Sequence, residues 1–264
     1  IQDIGVGAFI HGALAAWHLG HSREAAAGAD EALRLARRTE HANTICYAMF
    51  FVAYLHLLAR RGDAAKALAS ELVRFADERY IRYWATSARG ALGAAHVVRG
   101  DHREGRGVLT DALARMRAIR LETFQPTFLT FLAEAEMALG ATDDARRHLD
   151  EALSRMAGSQ EHWFEPEALR LRGRLLQQTG APPDSVRRDL EAAHQAAASQ
   201  QSRWYQLRAT LDLARLLAKQ DKRRRARDFL AASLQVFPVD ADGPELAEAK
   251  AQRDSLKLAP DFYE

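Results

Sequence analysis

Apolar residues recur along this chain at helical spacing, and no stretch alternates as a strand would. Between Glu122 and Met156, Phe124, Phe128, Leu132, Ala135 and Leu139 form one stripe, and Ala145, Leu149, Ala152, Leu153 and Met156 form a second. Gly140 separates them, where a left-handed C-cap costs least without a Cβ. Thr142 is expected to cap the second helix, with Asp143 and Asp144 on its positive dipole end. The segment reads as a helical hairpin, which needs neighbours of its own kind to bury both stripes.

Those neighbours recur every 40 residues. Small residues of the first helices fall at Ala13, Ala53, Gly93, Ala133 and Gly173, with Ala214 one place late. Turn glycines fall at Gly20, Gly100, Gly140 and Gly180; Gly62 reads as a displaced member, and Gln220-Asp221 as a replacement. Ala25, Ala67, Gly105, Ala145 and Ala226 put a small residue about five places after each turn. An aromatic column, Trp84, Phe124, Phe164 and Trp204, opens the later first helices and reads as packing between repeats.

The pattern predicts an all-α fold, a right-handed α-α superhelix of about six helical hairpins plus a C-terminal capping helix. The hairpins span about 1–40, 41–80, 81–120, 121–160, 161–200 and 201–237. The cap runs over 244–258, all in one domain (1–258), and 259–264 form a tail. Repeat one pairs Asp3–Leu19 with Ser22–Arg38. Repeat two has a first helix, around CYAMFFVAYLHLLA, that is apolar nearly all round and must be buried or line an apolar groove. Pro182-Pro183 is tolerated only in the first turn of a helix.

Composition adds little beyond this. Of 264 residues, 48% are hydrophobic and 27% charged, and the net charge of +2 gives no global field for nucleic acid. The lone Cys46 forbids an internal disulfide and fits a reducing, cytoplasmic setting. No apolar run reaches the roughly 20 residues that span a bilayer. The chain begins at Ile1 inside a helix, so it is expected to be part of a longer protein.

GATDDARRHLDEAL and LGHSREAAAGADEAL resemble tetratricopeptide repeats, though these units exceed the usual ~34 residues. From His162 to Ala251, EHWFEPEALRLRGRLL, SRWYQLRATLDLARLLAKQDKRRRARDFLAASLQVF and DADGPELAEAKA look like the C-terminal repeat region of large bacterial signalling proteins. In those, a class III nucleotide cyclase or winged-helix DNA-binding domain precedes a signalling ATPase module and then such an array. The resemblance implies a sensory or scaffolding arm, with the N-terminal signalling domains as intramolecular partners. It does not imply that this stretch makes cyclic nucleotide.

Catalytic patterns are missing. Gly5-Val6-Gly7 and Gly105-Arg106-Gly107 are isolated pairs, without the Lys and Ser/Thr of a P-loop. His18 and His21 flank a turn but lack the further ligands of a zinc set. The chain reads as a non-enzyme with no cofactor and no metal. Lys222, Arg223, Arg224, Arg225 and Arg227 oppose a helix macrodipole and read as a solvated face.

The concave groove is the stronger candidate. In the resembling arrays the first helices line it, and that register selects Trp17, Tyr47, Phe50 and Tyr54 at one end. Thr130, Glu134 and Met137 follow, then Glu167, Arg170, Arg174, Gln177, Arg208 and Arg215. Arginines on a rigid helical wall suit capture of carboxylate or phosphate. The competing reading pairs them with Glu167, Asp212 or other neighbours. The expected function is binding of a protein or peptide partner in the groove. The alternatives are a sensor for a small anionic ligand, or self-association into a homo-oligomer through the helices of repeat two.

Overall fold

The computed structural model describes residues 3–239 and 241–256, and among them thirteen helices and no strand. Twelve pair into hairpins: α1 (Ile4–His18) with α2 (Ser22–Arg38), α3 (Ala42–Leu58) with α4 (Gly62–Glu78), and α5 (Arg82–Arg99) with α6 (His102–Ala118). The others are α7 (Gln125–Ala138) with α8 (Thr142–Ala157), α9 (Glu165–Gln178) with α10 (Pro183–Ser199), and α11 (Arg203–Lys219) with α12 (Arg223–Gln235). The thirteenth, α13 (Pro244–Ser255), packs on α11 and α12. The expected tail, and the last two residues expected in the cap, lie outside the described residues.

The turns follow a finer rhythm than 40. Left-handed residues fall at 20, 40, 60, 80, 100, 120, 140 and 180, then at 201 and 221. Most close a Schellman motif, in which two amides satisfy orphan carbonyls of the last helical turn. At α5, Gly100 N–H donates to Val97 O (2.9 Å) and Asp101 N–H to His96 O (2.9 Å). At α4, Tyr80 and Ile81 repeat the pair on Asp77 and Ala76. In repeat two the left-handed residue is Arg60 (φ 56°), so Gly62 is not a displaced turn glycine. Gly62 opens α4 instead, where a Cβ would lie 2.5 Å from the Arg99 Cγ. Arg60, Tyr80 and Arg120 show that the motif outweighs the roughly 1 kcal/mol strain of a left-handed non-glycine.

Thr142 does not cap α8. It is the first helical residue, Ala141 holds the N-cap position, and no side chain hydrogen-bonds there. The Schellman turn at Gly140 leads straight into the helix and leaves no extended residue for a hydroxyl cap. Leu139, placed in the apolar stripe by its spacing, is the C-cap of α7 and is 41% exposed. Phe124 precedes α7 with φ 67° rather than belonging to it.

The small-residue columns mark close backbone approach. A Cβ on Gly93 would meet the Leu109 side chain at 2.7 Å, and one on Gly105 would meet Val97 at 2.7 Å. Second helices bury a narrow stripe: Ala65, Ala69, Leu72 and Ala76 in α4, and Ala145, Leu149, Ala152 and Met156 in α8.

The described residues form two compact units, 3–17 with 23–162, and 18–22 with those between 163 and 256. In the first, α3 is enclosed by α4 and α5, and twelve of its seventeen residues are buried. Burial pushes its Cys46 thiol up to about 11. Trp84 Nε1–H ties the third hairpin to the second by donating to Asn43 Oδ1 (2.7 Å). In the second, Val186, Leu190, Leu213 and Leu216 make a core between α10 and α11.

Candidate functional site

The first helices carry the candidate residues, and each unit treats its share differently. In the first unit, Tyr47, Phe50 and Tyr54 project from one side of α3 and are at most 5% exposed. Phe50 packs against Phe124 (4.8 Å between ring centroids) and Trp84 (5.6 Å) and lies parallel to Tyr54 at 6.5 Å. Tyr47 contacts Trp84 at 6.1 Å, and its hydroxyl lies 3.2 Å from His11 Nε2. Trp84 and Phe124, members of the aromatic column, therefore fill the space that an aromatic groove wall would leave open. Trp17 is 3% exposed. Glu134 is engaged by both terminal nitrogens of Arg60, at 2.9 Å for Nη1. Thr130 is fully buried and donates to Pro126 O (2.8 Å), and Met137 is 8% exposed.

The second unit places its charges in order along α9, α11 and α13. Arg170 forks onto Glu167 through Nε (3.0 Å) and Nη2 (2.7 Å), and its Nη1 donates to Asp212 Oδ2 (2.6 Å). All three residues are under 9% exposed. Asp212 Oδ1 also accepts from Arg215 Nη1 (2.6 Å), and Arg215 Nη2 continues the chain to Glu248 on α13. Arg208 donates through Nη2 (2.7 Å) and Nε (3.1 Å) to Glu245 at the start of α13. These helices are joined by a charged lattice in which each guanidinium faces a carboxylate. Such buried pairs orient one another firmly, because desolvation makes any unpaired member costly.

Arg174 stands apart. One turn beyond Arg170 on α9, it is exposed, and its side chain makes no hydrogen bond or ion pair among the described residues. Gln177, three residues on, is half-buried. The i, i+3 spacings of Glu167–Arg170 and Asp212–Arg215 were readable in the sequence. The roles of Glu245 and Glu248 were not, because no periodicity says which face α13 turns to α11.

The remaining candidates are accounted for locally. His18 Nδ1 lies 2.8 Å from Ser202 Oγ, and its ring meets Tyr205 edge-on at 5.6 Å. Burial, with the positive charge of Arg208, lowers its pKa to about 4. Phe164 and Trp204 pack on Tyr205 (5.9 Å) and Phe237 (4.9 Å). The run Lys222–Arg227 opens α12 with its cations exposed, Arg223 lying 3.8 Å from Asp221. Among the described residues, no three His, Cys, Asp or Glu side chains gather as metal ligands, and no helix is long and apolar enough to cross a membrane.

No protein-family model matches the sequence, and no curated protein matches it. Solved structures do share the fold. A Rap protein complexed with Competence and Sporulation Factor superposes with a TM-score of 0.67 at 11% identity, covering 97% of this chain and 76% of that one. The apo form of RapI gives 0.64 at 13%, covering 97% and 87%. NprR in complex with its cognate peptide NprX gives 0.59 at 13%, covering 95% and 72%. Likeness at these identities establishes the fold, a tetratricopeptide-like helical-repeat solenoid.

Proposed function

We propose that this chain is a non-catalytic interaction module that holds a peptide, or an extended segment of a partner protein, on the first-helix face of α9 and α11. Arg174 is the anchor for an acidic side chain or a terminal carboxylate. The observation that carries this reading is its isolation beside the lattice: Arg170, Arg208 and Arg215 are neutralised, whereas Arg174 is exposed and unpaired. A guanidinium on a fixed helix pays little reorganisation to grip a carboxylate in a bidentate fork. One free guanidinium suits a peptide group better than a highly charged metabolite, which would want several converging. Two of the similar folds being peptide and factor complexes supports the same class of ligand.

The resemblance of His162–Ala251 to the arms of bacterial signalling ATPases supports placing the module in a larger cytoplasmic regulator, where an occupied face would be read by the attached domains. Recovery of the reading frame upstream of Ile1 tests that context. Peptide binding is tested by selecting ligands from a displayed random-peptide library. Binders enriched in acidic residues, and lost with Arg174→Glu, are the expected outcome. Selected peptides that bind Arg174→Glu undiminished would refute the assignment. Arg208 is a poor site for this test, because reversing its charge would break its pair with Glu245.

A further inference from the structure

The first unit holds a second polar site, away from the candidate groove residues. A cavity of about 380 Å³ lies over the N-terminal half of α5, between the C-terminal ends of α4 and α6. Alanine and isoleucine side chains line it together with three arginines, Arg82, Arg89 and Arg115, and one carboxylate, Asp77. Arg82 is exposed, and its side chain has no hydrogen bond or ion pair among the described residues. Arg89 forks onto Asp77 (2.7 and 3.2 Å), and Arg115 Nε meets Asp111 at 2.6 Å, both partly or largely in solvent. Such surface pairs are weak, so an anion of higher charge can recruit these arginines.

Two further features point to a ligand. Thr86 lines the cavity, and its hydroxyl has no hydrogen-bond partner among the described residues and is not sealed from solvent. Accessible and unpartnered, it is free to bond a ligand that enters the cavity. The Tyr80 ring, on the left-handed turn after α4, stands at the rim 90% exposed, which leaves one face free to stack.

We propose that this cavity binds a small phosphate monoester carried on an aromatic ring. Arg82, Arg89 and Arg115 would hold the phosphate oxygens, Thr86 would donate a hydrogen bond, and Tyr80 would cover the ring. Arginine clusters recognise phosphate through charge and parallel N–H donors together.

Phenyl phosphate and methyl phosphate are the probes, titrated by calorimetry against the intact chain at low ionic strength. The proposal expects saturable one-to-one binding of phenyl phosphate, tighter than methyl phosphate. Arg82→Gln should weaken it about tenfold and Thr86→Val several-fold, with unchanged helicity. Tyr80→Ala should erase the preference for the phenyl compound. Absence of saturable binding, equal affinity for the two esters, or full binding by an Arg82→Gln/Arg115→Gln variant would each overturn it. Both substituted arginines are exposed, so loss of fold does not confuse the reading.

Discussion

The two units fill corresponding faces with opposite chemistry. On α3 of the first unit, aromatic rings bury one another, and Trp84 and Phe124 complete the cluster. Along α9, α11 and α13 of the second, carboxylates and guanidiniums bind one another in a lattice, and one arginine is left over. The first arrangement is non-directional and saturates itself, because rings pack until no apolar surface remains. The second is directional and stoichiometric, so among the described residues of α9 the Arg174 guanidinium stays available.

The largest effect should come from the aromatic side. Phe50→Ala removes a ring with 0% exposure and should cost about 3–5 kcal/mol in denaturant unfolding, insensitive to salt. Arg170→Met should cost a similar or slightly smaller amount, about 3 kcal/mol, by leaving Glu167 and Asp212 buried and facing each other. Replacing all three residues by apolar ones of similar size should recover most of that loss. Failure to recover it would mean that the lattice does more than balance its own charges.

The second unit should also feel pH through His18. Its pKa falls from 6.5 to about 4 on folding, first through burial and then through the Arg208 charge. The unfolded chain therefore binds the proton more readily. The stability is complete above about pH 6.5 and is lost as pH falls toward 4, by up to about 3 kcal/mol. His18→Asn should remove that part of the acid slope, read as the difference between the two proteins' unfolding curves. Smaller again is Gly140→Ala. With no atom within 4 Å of a Cβ there, its cost is the left-handed backbone alone, about 1 kcal/mol.

The architecture was legible because spacing carries it: Gly20, Gly100, Gly140 and Gly180 sit in left-handed turns, and the columns through Gly93 and Gly105 mark close packing. The turns at Arg60, Tyr80 and Arg120 were not legible, since the Schellman hydrogen bonds that hold them are backbone interactions and leave no residue signature. The same limit applies to the candidate residues. Residue type and register singled out Tyr47, Phe50 and Tyr54, but their enclosure depends on how Trp84 and Phe124 pack. Register likewise grouped four arginines that the structure divides, because Glu245 and Glu248 arrive from a helix far along the chain.

The smallest expected effect on stability accompanies the largest on binding. Arg174→Glu, at an exposed unpaired position, should change unfolding by less than about 0.5 kcal/mol. The decisive measurement is fluorescence anisotropy of a library-selected acidic peptide against the wild-type chain and this variant. The account predicts at least tenfold weaker binding by Arg174→Glu and partial recovery when the peptide's acidic residue is changed to lysine. Equal affinity for wild type and variant would contradict the claim that this face of α9 holds the ligand.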